Sequence, residues 1–440
     1  MKYIFISFIY LFTCTHIFGQ TLDLSVYKAQ FDSLKNGPVV VNYKSGKPAF
    51  KGNLEFGKPT GSWHLYYPSG DLFKVIEYKS GLQHGVEMLY DEDGLALSKS
   101  KFKNGVLNGP YEEYYDFGAI ALSGFYLNGK KDSTWTEFSE FGRKNYKKNY
   151  KNGLEHGTWT YYFESGKTWR IEQYEYGSKT GKWIERYSNY RIKKEYTFRT
   201  GFLHGSYAEY HANGKKSAEG SYTNGQKTGT WTNYYLDGVL YSVGKYELGM
   251  KTGLWKYFRE NGTISEEGGY RNDLKNGQWI YYYENGKPES IGSYVLDEKH
   301  GMWGLFYPND QLKQEQNWQN GRLMNASDFY SIKGDKLNSG TLKDGNGTIF
   351  EYFPEGEIKL RAQVQDGYFE LLYRGFHINM KLAFEGNMNK SQKDGKWTYF
   401  HSTGAQESSG EYENGIKVGI WRYFNSRGAL IDQIDHDENP

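Results

Sequence analysis

Cysteine is almost missing: the only one, Cys14, lies in the N-terminal stretch "MKYIFISFIYLFTCTHIFGQ". If that stretch is cleaved after Gly19, the mature chain has no thiol, which excludes disulfide staples and thiolate chemistry. Proline is scarce as well, 9 residues of 440, so even with 54 glycines the composition stays below that of low-complexity disorder. An excess of charge of either sign is also lacking, with 54 Lys and Arg against 52 Asp and Glu. That balance argues against a protein that grips phosphates, whether of nucleic acid or of an anionic membrane surface. The tyrosine-interleaved basic run "RKNYKKNYKNG" is read as a solvated strand face, because neighbouring repeats carry Glu and Asp there.

The N-terminus is different in kind. Lys2 precedes an apolar run over residues 3–12 that is too short for a membrane span, which is the layout of a signal peptide over 1–19. The expected location is extracytoplasmic: periplasm, outer membrane or secreted. Lipidation of Cys14 is the alternative, but the preceding "LFT" fits a lipobox poorly. In residues 20–36, Leu24, Tyr27, Phe31 and Leu34 fall at helical spacing after Asp23, which predicts a short N-terminal cap.

What the chain has in quantity is glycine and aromatics, and both are periodic. Stepping by 24 residues from Gly37 to Gly301 meets glycine at eleven of twelve positions, Ser133 being the other. Two residues after these anchors stand Trp63, Trp135, Trp159, Trp183, Trp231, Trp255, Trp279 and Trp303, with Tyr111 and Tyr207 as substitutes. The phase is lost after Gly321 and returns at Trp397 and Trp421, so ten of the twelve tryptophans occupy it. Further aromatics recur five and seventeen residues after the anchor, and a turn glycine nine after it.

Such a period makes one β-hairpin plus a connection. The expected fold is all-β, an elongated solenoid of stacked antiparallel β-hairpins with a 24-residue repeat, whose rings form a ladder between repeats. Regular repeats are expected over 37–321, degenerate ones over 322–386 with Ile349 at a tryptophan position, two regular repeats over 387–428, and a polar tail over 429–440. Glycine also recurs inside the second strand (Gly52, Gly124, Gly220, Gly244, Gly268, Gly292), where an aromatic from an adjoining strand is expected to lie on the bare backbone. In a flat strand Trp231 and Tyr234 face opposite sides, so either both faces are covered or a bulge re-aims one ring.

No catalytic pattern stands out. Gly166-Lys167-Thr168 lacks the upstream glycine of a P-loop, and Gly345 and Gly347 lack a third glycine. His84, His156, His204 and His300 repeat one position before the anchor, which reads as a turn edge rather than a metal site. The acidic "DQIDHDE" lacks a scaffold for metal ligation. Neither cofactor nor catalytic residue is expected.

The unit "NGKxxGxWxxYYxxGxxxxxGxYxNG" resembles the MORN-repeat variant of secreted bacterial proteins, often labelled YwqK-family antitoxins. The resemblance covers 37–321 and 387–428 strongly and 339–375 weakly. It implies a hairpin solenoid that binds proteins or membranes as a scaffold. The expected function is therefore a non-catalytic, extracytoplasmic repeat scaffold mediating protein–protein interaction at the bacterial envelope. A glycan- or peptidoglycan-binding array and an antitoxin or immunity protein are the alternatives. A protein partner is expected, nucleic acid is not, and the charge balance gives membrane association no support.

Overall fold

The computed structural model describes residues 35–437. The signal peptide and all but the last two residues of the N-terminal cap lie outside them. Among the described residues every regular element is a β-strand. The chain divides into two compact units, 1–202 and 203–440.

Both units are built from one hairpin form. In the second unit, strand Gln226–Tyr234 turns through a five-residue loop into strand Leu240–Glu247. The loop closes with Gly238 N–H on the Tyr235 carbonyl at 2.9 Å and Tyr235 N–H on the Val239 carbonyl at 2.8 Å. The next connection has two residues, Leu248 (φ 51) and Gly249 (φ 83), and leads into strand Met250–Phe258. Two successive positive φ values define a type I′ turn, whose twist matches that of the strands. Asn-Gly satisfies this at Asn224-Gly225. In the first unit the same alternation runs from Asn36–Asn42 to Ile192–Arg199. Successive strands pair antiparallel in chain order, as expected for a solenoid of stacked hairpins.

Two hydrogen-bonded seams join one repeat to the next along the two turn edges. At the short-turn edge each turn glycine donates its N–H to the preceding repeat, as Gly225 does to the Leu203 carbonyl at 2.8 Å and Gly249 to Lys227 at 3.0 Å. At the long-turn edge the first loop residue reaches the carbonyl 23 residues ahead. Tyr235 Oη donates to Phe258 O at 2.8 Å, Tyr283 to Phe306 O at 2.9 Å, and in the first unit Tyr67 to Tyr90 O at 2.8 Å.

The second unit has a break. After strand Arg322–Ala326, a small pair of strands, Phe329–Tyr330 and Lys336–Leu337, intervenes, and an eight-stranded sheet begins at Gly347–Tyr352. Regular hairpin geometry thus resumes at Gly347, two repeats before the glycine–tryptophan period does. Ile349 fills the tryptophan position there at 1% exposure, packed with Leu323, Leu360, Ala362 and Val364. Residues 430–435, expected to belong to a polar tail, form a final strand paired with Ile416–Phe424.

Candidate functional site

The ten tryptophans of the ladder are all buried, none more than 5% exposed. Eight of them lie on a glycine of the preceding strand: Trp63 on Gly52, Trp135 on Gly124, Trp231 on Gly220, Trp255 on Gly244, Trp279 on Gly268, Trp303 on Gly292, Trp397 on Gly386 and Trp421 on Gly410. A methyl group on any of these glycines would sit closer than 3.0 Å to the indole. Their φ is ordinary, so they are kept for space. Anchor glycines such as Gly229, Gly253 and Gly277 are the opposite case: Gly253 has φ +64 with nothing near its missing Cβ, so it is kept for conformation.

Every indole N–H of the ladder is satisfied in the same way. Trp231 Nε1 donates to Ser221 O at 3.1 Å and Trp279 to Gly269 O at 2.9 Å, in each case the carbonyl ten residues earlier. Trp63, Trp135, Trp159, Trp183, Trp255, Trp303, Trp397 and Trp421 repeat the bond. The register shift between Glu219 and Ser221 accompanies that free carbonyl. Where tyrosine replaces tryptophan, a glutamate two residues on accepts the hydroxyl: Tyr111 to Glu113 at 2.6 Å and Tyr207 to Glu209 at 3.0 Å.

A lysine two residues before the anchor roofs the indole. Lys275 Nζ stands 3.8 Å from the Trp279 ring, and Lys227, Lys251, Lys393 and Lys417 repeat the arrangement at 4.1–4.6 Å. Burial among these rings pushes the Lys227 and Lys251 ammonium groups below the usual lysine range.

Two tryptophans break the glycine rule, and they are neighbours in the first unit. At the glycine phase Trp159 meets Lys148 and Trp183 meets Glu172. Lys148 Nζ lies 4.1 Å from the Tyr146 ring and 4.8 Å from Trp159. The Glu172 side chain is 1% exposed, ion-paired with Arg170, and accepts the hydroxyls of Tyr161 and Tyr174, each at 3.1 Å. Burial, then the Glu172 charge, holds both phenols well above the ordinary tyrosine range. Sequence reasoning passed over this cluster, although the gap in the glycine phase at 148 and 172 was its signal. Glu172→Ala should cost about 3 kcal/mol locally, because Arg170 and two phenols lose their acceptor. Hydrogen exchange of strand Thr168–Glu175 reads this, and protection equal to wild type would show the cluster to be inert.

The face opposite the ladder is different. Tyr234 Oη donates to Glu219 Oε1 at 2.6 Å, and Glu219 directly precedes the glycine that carries Trp231. Consecutive strand residues point to opposite faces, so rings cover both sides of the sheet. Bulges flank this strand as well, with shifts between Glu219 and Ser221 and between Asn233 and Tyr234. In the second unit this outer row comprises Tyr210, Tyr234, Phe258, Tyr282 and Phe306, all half-buried. Its charges are paired, as in Lys216–Glu219 at 2.6 Å and Lys256–Glu267 at 2.9 Å. An open depression of about 370 Å³ lies here, lined by Lys215, Lys216, Glu219, Tyr234, Asp237 and Gly238.

The repeated histidines sit in separate repeats. His84 Nδ1 is 3.1 Å from Asn104 Oδ1, and the His156 ring lies 4.8 Å from that of Tyr176. Among the described residues no three His, Cys, Asp or Glu side chains come together as a metal site would require.

Five segments, residues 155–176, 203–224, 251–272, 275–295 and 299–320, match the family described as MORN repeat variant. No curated protein matches the chain. Similar solved structures include a crystal structure of TcdB2-TccC3-TEV, with 12% identity, a TM-score of 0.16 and coverage of 90% of this chain and 23% of that one. The Photorhabdus luminescens Tc holotoxin pore is 10% identical with a TM-score of 0.15, over 93% of this chain and 25% of that one. This chain spans about a quarter of the length of either.

Proposed function

We propose that the chain is an extracytoplasmic, non-catalytic repeat scaffold that binds a protein partner at the bacterial envelope along its outer tyrosine row. The carrying observation is that row: half-exposed rings recur every 24 residues on a face whose charges are internally paired. Amphipathic aromatics without excess charge suit the core of a protein interface. The signal-peptide layout supports the location. The ladder tryptophans, being buried, offer no stacking platform for a sugar.

The test is affinity capture from envelope extracts with the wild-type chain and with Tyr234→Ser/Tyr282→Ser. The wild type should retain a defined protein and the variant should lose it while keeping the β-sheet circular dichroism of the wild type at the capture temperature. A partner retained equally by both, or binding of wall fragments in its place, would overturn the reading.

A further inference from the structure

The two terminal strands of the array are complementary to each other, and we infer that the chain associates head to tail with copies of itself through them. The last strand, Leu430–Asp435, pairs on one side with Ile416–Phe424, and among the described residues nothing pairs its other side. Leu430, Ile431 and Ile434 are 54%, 64% and 41% exposed there. His436 N–H points inward, to the Gly419 carbonyl at 3.0 Å. By alternation the N–H groups of Gln433 and Asp435 point outward. The Gln433 N–H meets only the carboxylate of its own neighbour, Asp432, at 2.8 Å. Such an edge is a template for a further strand.

Phase and register identify the occupant. Leu430–Asp435 is the second strand of its repeat, so the array would continue with a first strand. The strand Asn36–Asn42 is a first strand: it carries the anchor Gly37 and has Val39 at the tryptophan position. Among the described residues it pairs only with Pro48–Glu55, and Val40 is 60% exposed. The pairing of Gln406–Glu413 with Ile416–Phe424 supplies the register. Advanced by one repeat, it sets Asp432 opposite Val41 and Gln433 opposite Val40 of the second copy. Asp435 then faces Asn36, beside Lys35, and Ile434 comes under Val39.

Pro38 does not block this union. Pro110 occupies the same phase, one residue after its anchor, and its strand still pairs on both sides, because the bulge between Ser100 and Phe102 leaves that position out of the ladder. Charge also matches. The final strand and the two residues after it carry Asp432, Asp435 and Asp437 without a Lys or Arg, while residues 35–58 carry Lys35, Lys44, Lys47, Lys51 and Lys58 against Glu55 alone. The contact joins two different surfaces, so it builds a ring or an open chain of copies rather than a two-fold dimer, and grows beyond a dimer.

Sedimentation velocity of the purified full chain across a wide micromolar range tests this. Species larger than a dimer should grow with concentration and shrink as salt is added. Gln433→Pro removes an outward N–H without touching the inner ladder, and should return the chain to monomer with an unchanged melt. Asp432→Lys/Asp435→Lys should also dissociate it, and covers the case in which the proline disturbs folding. A monomer at every concentration, including one that captures a foreign strand instead, overturns the inference. So does a closed dimer insensitive to both variants.

Discussion

Gly244→Val should unfold the repeats around it, whereas Gly253→Ala, only nine residues away, should cost about 1 kcal/mol. The two glycines are kept for different physical reasons. A side chain at 244 would overlap the Trp255 indole, which is 1% exposed, hydrogen-bonded to Lys245 O at 3.2 Å, and roofed by Lys251. The ring has nowhere to go, and Trp255→Ala alone should cost about 3–5 kcal/mol as a large buried aromatic. At 253 there is open space, and alanine meets only the penalty of a left-handed φ. The decisive comparison is the cycle Gly244→Ala, Trp255→Ala and the double variant. The double should cost less than the two singles added together, because removing the ring removes the overlap. Additive losses in denaturant melts would show that ring and glycine do not act as a pair. Damage should stay near the lesion, since each hairpin is stabilised by its neighbours, and hydrogen exchange should find distant repeats still protected.

The features that repeat were legible in the sequence, and those tied to one place were not. The period set the hairpins, the turn glycines and the burial of the tryptophan phase, because each follows from local chirality or from ring size. It did not reveal why two tyrosines stand side by side. Tyr234 turns outward to Glu219 while Tyr235 reaches a backbone carbonyl 23 residues ahead, a target with no side-chain signature. The hairpin at Gly347 was legible through Ile349 at a tryptophan position, whereas the next was obscured because Tyr373 takes that position opposite Ala362 rather than glycine. The last strand lacks the aromatic and glycine markers altogether and reads as a tail until its partner is seen. Glu172 and Lys148 were visible only as gaps in a glycine phase, and a gap states no chemistry of its own.

Stability should collapse above about pH 10, and the tyrosines set that limit rather than the lysines. Burial is the first cause at Tyr114, Tyr234, Tyr282, Tyr307 and Tyr373, whose phenols are pushed up to about 12. Neighbouring carboxylates add to this at Tyr114, Tyr234 and Tyr282, where Glu112, Glu219 and Glu267 accept the hydroxyl. Tyr111 and Tyr257 are held higher still, again by burial first. A folded-state value raised above the unfolded value of about 10 contributes stability that is complete below pH 10 and is lost as pH rises through the folded value. Lysines such as Lys131, Lys227, Lys251 and Lys299 act in the other direction, their burial being relieved as pH approaches their ordinary range. Among the described residues the raised tyrosines far outnumber them, and their window extends to higher pH. The melting temperature should therefore hold to about pH 10 and then drop steeply. The phenolate absorbance of the buried tyrosines should lag behind free tyrosine and rise only as the β-sheet circular dichroism is lost. If the buried tyrosines ionised near pH 10 with the sheet signal intact, burial of the phenols would not be what couples this fold to proton loss.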